Sequence, residues 1–335
     1  MSVALTTDST VPPDADTPRR IVARQSLSDQ VFRGILRAAG IAVLVLTVMI
    51  LIFLVLRSLP AWRQMGLRFF TTSTLIYADK QFGVAALLPD SIIIALIALV
   101  FAFPAGLAAA LYISEYAPLR LRRPLIAVID LLAAIPSIAF ALWGFVYLMP
   151  KIYGTDTWAA HHLGFIPFLH FTQTYSPSNF VGSEFIAGLV VSMMVIPIIA
   201  SLSRQVFSQA PQGEREAAYA LGATRWGMVR TVVLPFGRAG VIGASMLGLG
   251  RALGETIAVS FILSPPTDTF NYHVLDSGGN SITAAIANNL GSYSPLGISY
   301  LLAAALTLFL LTLIINTLAA IVISRSRSGA ATEAD

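Results

Sequence analysis

The sequence predicts an all-α integral membrane protein with about six transmembrane helices. Composition gives the first reason: of 335 residues, 56% are hydrophobic and 11% charged, and the mean hydropathy is +0.77. Soluble domains carry about a quarter charged residues, so this chain lacks the polar side chains to cover a water-facing surface. Segment length gives the second, since about six apolar stretches reach the ~20 residues that a helix needs to cross a bilayer. Charge placement gives the third: the cations gather beside alternate ends of those stretches. The chain has no cysteine, which excludes disulfides, thiol nucleophiles and thiolate metal sites. Its pI of about 9.5 follows from the membrane-flanking cations and requires no nucleic acid partner.

Met1–Arg37 is polar, carries Asp8, Asp14 and Asp16, and has no apolar periodicity. It reads as a cytoplasmic N-terminal segment, disordered up to about Pro18, with Arg33 and Arg37 at the membrane face. The first span, Ala38–Leu56, follows this long polar stretch rather than the short basic start of a secretory signal. It reads as an uncleaved anchor, which with its outer segment makes a unit over residues 38–87. The other spans are Leu88–Ser114, Pro124–Met149, Phe185–Ser203, Ala239–Leu263 and Gly297–Ile323. They form a transmembrane core over 88–325, followed by a cytoplasmic tail at 326–335. Pro104, Pro136 and Pro197 fall inside spans and predict kinks, which a membrane protein tolerates where neighbouring helices or water satisfy the freed carbonyls. The sequence shows no internal repeat.

Sorting the 21 Lys and Arg residues by side sets the expected orientation. Arg57, Arg63, Arg68, Lys80 and Lys151 fall in one set of connecting segments, and Arg238 and Arg251 lie at the start of and within the fifth span. The remaining 14 lie on the side of the N-terminus. Positive residues mark the cytoplasmic side, so both termini and Ser203–Thr231 are expected inside. Arg57–Leu87, Pro150–Glu184 and Ser264–Leu296 are then outside.

The inner segment carries Glu216-Ala217-Ala218-Tyr219-Ala220-Leu221-Gly222 and, nine residues on, Val232-Val233-Leu234-Pro235. Glu214 and Glu216 favour the positive first turn of a helix. Ala217 and Ala218 combine high helix propensity with tiny side chains, so a helix bearing them can lie deep in a groove on another protein. Gly222 can end that helix in the left-handed conformation, and Pro235 then helps set the angle at which the fifth span begins. Without a partner, the same residues read as an ordinary amphipathic interfacial helix. A phosphate-cradling loop requires Gly-Lys-Ser/Thr. The only lysines, Lys80 after Asp79 and Lys151 after Pro150, cannot close one, so any energy from ATP must come from a separate subunit.

A second constellation, Arg251-Ala252-Leu253-Gly254-Glu255-Thr256, lies inside the fifth span. Residues four apart share a helix face, and each charge alone in hydrocarbon is costly, so the pair is expected to face the bundle interior or a watery path. Two readings are open. One is a structural ion pair that fixes helix rotation. In the other, Arg251 meets an anionic solute while Glu255 holds its side chain, and the bidentate geometry of guanidinium favours an oxyanion. Gly240, Gly243, Gly248, Gly250 and Gly254 give the same span close-approach surfaces, expected to pack against a partner chain. Asp130 reads as a helix-packing carboxylate in preference to part of an inner gate. His161, His162 and His170 share an outer segment with no carboxylate or cysteine pattern to complete a metal site, so a protein contact or a solvated loop is expected there.

Glu-Ala-Ala, three residues, Gly, nine residues, then Val232-x-Leu-Pro resembles the EAA loop of ABC importer permeases, with isoleucine usual where Val232 stands. The similarity extends from Phe82 to about Ser324. It narrows to phosphate-specific permeases through Leu131-Leu132-Ala133-Ala134-Ile135-Pro136-Ser137, Leu142-Trp143-Gly144, Ser114-Glu115-Tyr116 and Gly250–Thr256. Ile257-Ala258-Val259 is similar to the PstC type of subunit rather than its sister PstA. The resemblance implies the type I, MetI-like importer permease fold and a non-enzymatic permease subunit of the cell inner membrane, without cofactor, metal or catalytic residue. It implies a complex with a second, PstA-like permease, a dimer of PstB-like ATP-binding subunits and an exterior PstS-like phosphate-binding protein. It assigns Glu216, Ala217, Ala218 and Gly222, within a coupling loop over 208–235, to contact with the ATPase, and leaves Arg251 and Glu255 as candidates for the translocation path. The alternatives are a PstA-type subunit and a molybdate or sulfate permease, which should lack the Arg251–Glu255 signature. A stand-alone secondary transporter is a further alternative, and it should show repeat symmetry.

Overall fold

The computed structural model describes residues 27–73, 82–152, 182–263, 273–291 and 294–326, together with 154, 158, 162 and 165; of 325 and 326 it describes the backbone alone. The described elements are helical apart from an isolated bridge between Ser183 and Ser277. Residues up to Ile52 and those from Phe53 onward form two units. Helix α1 runs Leu27–Met65, so residues 27–37, assigned above to the polar N-terminal segment, are helical. The residues expected to be disordered, up to about Pro18, lie outside the described ones. In the first unit most α1 side chains are exposed, among them Val31, Leu44 and Met49.

The second unit continues with α2 (Leu87–Leu111), α3 (Leu119–Ala134), α4 (Ser137–Trp143), α5 (Glu184–Ser208) and α6 (Gln212–Ala220). It ends with α7 (Arg225–Met228), α8 (Leu234–Leu253), α9 (Ile257–Ile262), α10 (Ile282–Asn289) and α11 (Pro295–Ser326). Among the described residues five helices are long and apolar enough to cross a membrane, or six spans if a pair bent by 88°, Leu119–Ala134 with Ser137–Ile152, counts as one. That bend sits at Ile135-Pro136. Proline brings no N–H and pushes the residue before it out of the helical region, and Ile135 is extended at φ −64°, ψ 130°. By contrast, α2 and α5 each run as one helix through Pro104 and Pro197. The fifth span differs from the expected Ala239–Leu263: the continuous helical run is Arg225–Leu253, and the chain breaks at Gly254 before α9.

Helix α5 is the axis of this unit. Of its most apolar stretch 61% is buried, against 17% for α11, and it packs along α2 and α8 and against α3. Its buried residues include Ile186, Val190, Val191, Val195 and Ile199, which join Ile94, Ala98 and Ala102 of α2 in the largest apolar cluster. Since lipid tails are as apolar as leucine, such packing depends on close fit. Small residues supply it: a methyl group at Gly248 of α8 would lie 2.7 Å from Val195 Cγ1 and 3.2 Å from Ile199 Cγ1, and one at Gly240 would clash with Val206. These two glycines therefore pack on α5 of their own chain, which corrects the expectation that the whole series faces a partner. Gly250 has open space before it.

Gly248→Ala is expected to overpack the α5–α8 contact by about 1–3 kcal/mol, lowering the thermal midpoint of the solubilised protein. Gly250→Ala, whose methyl meets nothing, should leave it unchanged or slightly higher.

Candidate functional site

The inner-segment residues fold as one small platform. Helix α6 ends at Ala220, and Gly222 takes φ 80°. The N–H of Gly222 then reaches Tyr219 O at 2.9 Å, and that of Ala223 reaches Ala218 O at 3.0 Å, the paired bonds of a glycine-terminated helix. Glu216, Ala217 and Gly222 are exposed, with Gln212 Nε2 donating to Glu216 Oε1 at 3.1 Å. Ala218 differs. It turns inward, half buried, against the cluster of Ala110, Phe207, Met228, Val229 and Val233, so of the two alanines only Ala217 is presented outward. Leu221, 89% exposed, and Trp226, 55% exposed, flank it. A single sequence gives no signal for their exposure, because it does not show which face the platform buries.

What holds the platform is an ion pair. Arg215 Nη1 donates to Glu115 Oε2 at 2.9 Å, with the two side chains 16% and 3% exposed, and Arg215 Nη2 donates to Phe207 O at 2.6 Å. Glu115 lies in a π-helical turn, Tyr112–Tyr116, that extends α2. At the same turn Arg122 Nε donates to Ile113 O at 2.9 Å, and the Arg225 guanidinium sits 5.5 Å from the Tyr116 ring centroid. Three arginines thus gather at the carbonyl end of α2, where the helix dipole favours positive charge.

Arg251 and Glu255 are separated by the helix break. Arg251 is exposed near the end of α8 and lines a cavity of about 340 Å³ with Ile198, Met246, Leu247, Gly250 and Asn316. Glu255 is 8% exposed, and its Oε1 accepts the N–H of Ala258 at 3.2 Å, capping α9. No ion pair joins Arg251 and Glu255, so the shared helix face expected for them is corrected. The helix ends at Gly254 between them, and the carboxylate caps the start of α9. Asp130 of α3 accepts a hydrogen bond from Ser201 Oγ of α5 at 3.0 Å, a packing contact. His162 faces Trp158, with Nδ1 2.9 Å from its carbonyl; His161 and His170 lie outside the described residues.

At the opposite end of the bundle lies a polar cluster with no local sequence signal. Asp90, in the first turn of α2, is fully buried, and Glu184, in the first turn of α5, is 3% exposed. The two buried carboxyl groups lie close enough to interact. Asp90 Oδ2 also accepts the Asn280 N–H at 2.9 Å, and Ser91 Oγ accepts that of Ile282 at 3.0 Å. These contacts, with Phe185 N–H to Val274 O at 3.1 Å, tie the loop before α10 to the first turns of α2 and α5.

Residues 102–328 match the family described as the inner membrane component of binding-protein-dependent transport systems. The chain is 41% identical over 295 residues to the phosphate transport system permease protein PstC 2 of Mycobacterium tuberculosis, covering 87% of this chain and 90% of that one. It is 42% identical over 272 residues to PstC of Mycobacterium leprae, covering 80% and 84%. The chain belongs to the PstC permease family. Haemophilus influenzae PstC, 36% identical, is covered over 97% of its length. A solved bacterial ABC transporter involved in alginate import superposes at TM-score 0.56 and 19% identity, covering 89% of this chain and 98% of that one. The MetNI methionine ABC transporter superposes at 0.52 and 16%, covering 72% and 97%. At these identities the likeness shows the fold, that of the MetI-like importer permeases, as the sequence had indicated. A PstC-family chain is a multi-pass inner-membrane permease component without catalysis of its own, and such a permease works with an ATPase and partner subunits.

Removing one partner of a buried ion pair costs about 3–5 kcal/mol. Glu115→Ala in this PstC-family chain should fall toward the low end, because Arg215 keeps some exposure. The expected readout is faster tryptic cleavage at Arg215 and Arg225 in the folded protein, with membrane insertion unchanged. Equal cleavage rates would remove the anchoring role from the pair.

Proposed function

We propose that this chain is the membrane-spanning PstC-type subunit through which an ATP-driven importer passes inorganic phosphate. The observation that carries the reading is the extent of its likeness to phosphate transport permeases, 41% identity over 87% of the chain, joined to an outward-facing α6 that offers a subunit contact. The charge asymmetry supports placing α6, both termini, the N-terminal segment up to α1 and the tail after α11 in the cytoplasm. The partners would be a PstA-like permease, a pair of PstB-like ATPase subunits meeting α6, and a PstS-like binding protein on the opposite face. Glu216, Ala217 and Gly222, with Leu221 and Trp226 beside them, would contact the ATPase, and Ala218 would support them from behind. When the ATPase pair closes, force on α6 would pass through Arg215–Glu115 into α2, which is packed along α5.

For the path itself the reading rests on Arg251. It is exposed to a cavity among α5, α8 and α11, with Asn316 as the other polar group there. A guanidinium with no carboxylate partner can hold a phosphate oxyanion bidentately, and a transient contact suits a path that must also release its solute. Glu255 would act by holding the break that positions Arg251.

Glu216→Lys, which reverses the charge on the exposed face of α6, is expected to abolish co-purification of the ATPase subunit while the permease still inserts; undiminished co-purification would refute the docking role. Arg251→Gln is expected to cut ATP-dependent phosphate uptake by the assembled complex by at least about tenfold, the effect of losing one charge-assisted contact. Uptake assayed beside sulfate and molybdate checks the solute. Normal phosphate uptake by the assembled variant would make Arg251 structural, and preference for another oxyanion would overturn the phosphate assignment.

A further inference from the structure

Helix α8 carries a second arginine, and it faces elsewhere. Arg238 and Arg251 are about three and a half helical turns and about 20 Å of rise apart, which points them to opposite sides of α8. Arg251 opens on the cavity beside α5 and α11, whereas Arg238 lines a groove of about 550 Å³ between α8 and α2 with Phe103, Leu107, Val241 and Ile242. Apart from Arg238 the side chains lining that groove are apolar. Arg238 itself is exposed, and among the described residues it has no ion pair or hydrogen bond. It stands at the start of the apolar run of α8, at the end of the bundle that carries α6, as expected of a residue at the headgroup boundary of a span.

An unpaired intramembrane arginine is expensive unless it meets an opposite charge, and among the described residues no carboxylate supplies one. The residues of α2 facing it, Phe103 and Leu107, offer only apolar surface. The groove therefore asks for a molecule with an anionic head and a hydrocarbon body. We propose that the α2–α8 groove binds an anionic phospholipid of the leaflet on the α6 side. Its phosphate is held by Arg238 and one acyl chain lies along Phe103, Leu107 and Val241. The charge complementarity favours this occupant over a neutral lipid, and the apolar walls favour it over free phosphate. Because the groove joins the helix that anchors α6 to the helix that carries Arg251, a lipid there would brace the link between the two.

The test is native mass spectrometry of the assembled transporter, purified in mild detergent and given phosphatidylglycerol or phosphatidylcholine of matched chains. The wild type is expected to retain phosphatidylglycerol preferentially. Arg238→Gln should weaken that retention roughly fivefold, the factor typical of one cation near an anionic surface, while Arg238→Lys keeps most of it and Arg251→Gln leaves it intact. Leu107→Trp, which fills the groove without altering charge, should also lower retention, and it decides the matter where Arg238→Gln fails to assemble. Equal retention of the two lipids, retention unchanged by both Arg238→Gln and Leu107→Trp, or displacement of the lipid by millimolar inorganic phosphate would overturn the proposal. So would a wild-type assembly that holds no lipid because a partner helix covers the groove.

Discussion

The packing of α2 along α5 is the contact on which the rest of the second unit depends. In lipid it has no hydrophobic driving force of the kind water supplies, so it relies on dispersion and on backbone approach. Ala95, Ala98 and Ala102 of α2 are fully buried, and Ala187, Val190 and Ile199 of α5 are likewise closed to solvent. With small side chains at the seam, the two helices stay in contact over most of their length. Helices α3, α4, α8 and α9 then pack against this pair, and α11 packs on α8 and α10.

The two ends use different chemistry. At the α6 end, charge does the work: Glu115 on the extension of α2 takes Arg215, and Arg122 takes a carbonyl of the same turn. At the other end, backbone N–H groups of the loop before α10 reach Asp90 and Ser91 on α2, and Glu184 on α5 meets Asp90. Because α2 is continuous from Leu87 to Tyr116, one rod carries both attachments. A displacement of α6 is therefore applied to the same helix that holds the opposite loop, without any flexible joint between them.

The sequence made the spans legible because hydropathy and length are local properties, and it made Gly222 legible because a helix bearing an alanine pair must stop somewhere. The bend at Pro136 was legible as a kink, but the same signal at Pro104 and Pro197 left continuous helices, so which proline breaks its span is decided by packing elsewhere. The anchoring contacts were not legible. Arg215 and Glu115 stand 100 residues apart, and Asn280 and Asp90 stand 190 apart, so neither pairing leaves a pattern in any window of the chain. The inward turn of Ala218 was hidden too, since the face of α6 that is buried is decided by Phe207, Met228 and Val229 on other elements.

The fate of Arg251 and Glu255 shows how a spacing rule fails where the helix it assumes is broken. Four residues apart on an unbroken helix, they would neutralise each other, and the arginine would have little left for a solute. The chain avoids this by ending α8 at Leu253 and restarting at Ile257. Such a break inside a membrane must satisfy its own backbone, and it does so locally: Gly254 N–H returns to Gly250 O at 3.1 Å, and Thr283 Oγ1 donates to Glu255 O at 2.8 Å. The Glu255 carboxylate then accepts the N–H of Ala258 in the first turn of α9, where a negative charge is favoured. That carboxylate is engaged at the break and not by the guanidinium, so Arg251 lines the cavity beside Asn316 without a carboxylate partner among the described residues.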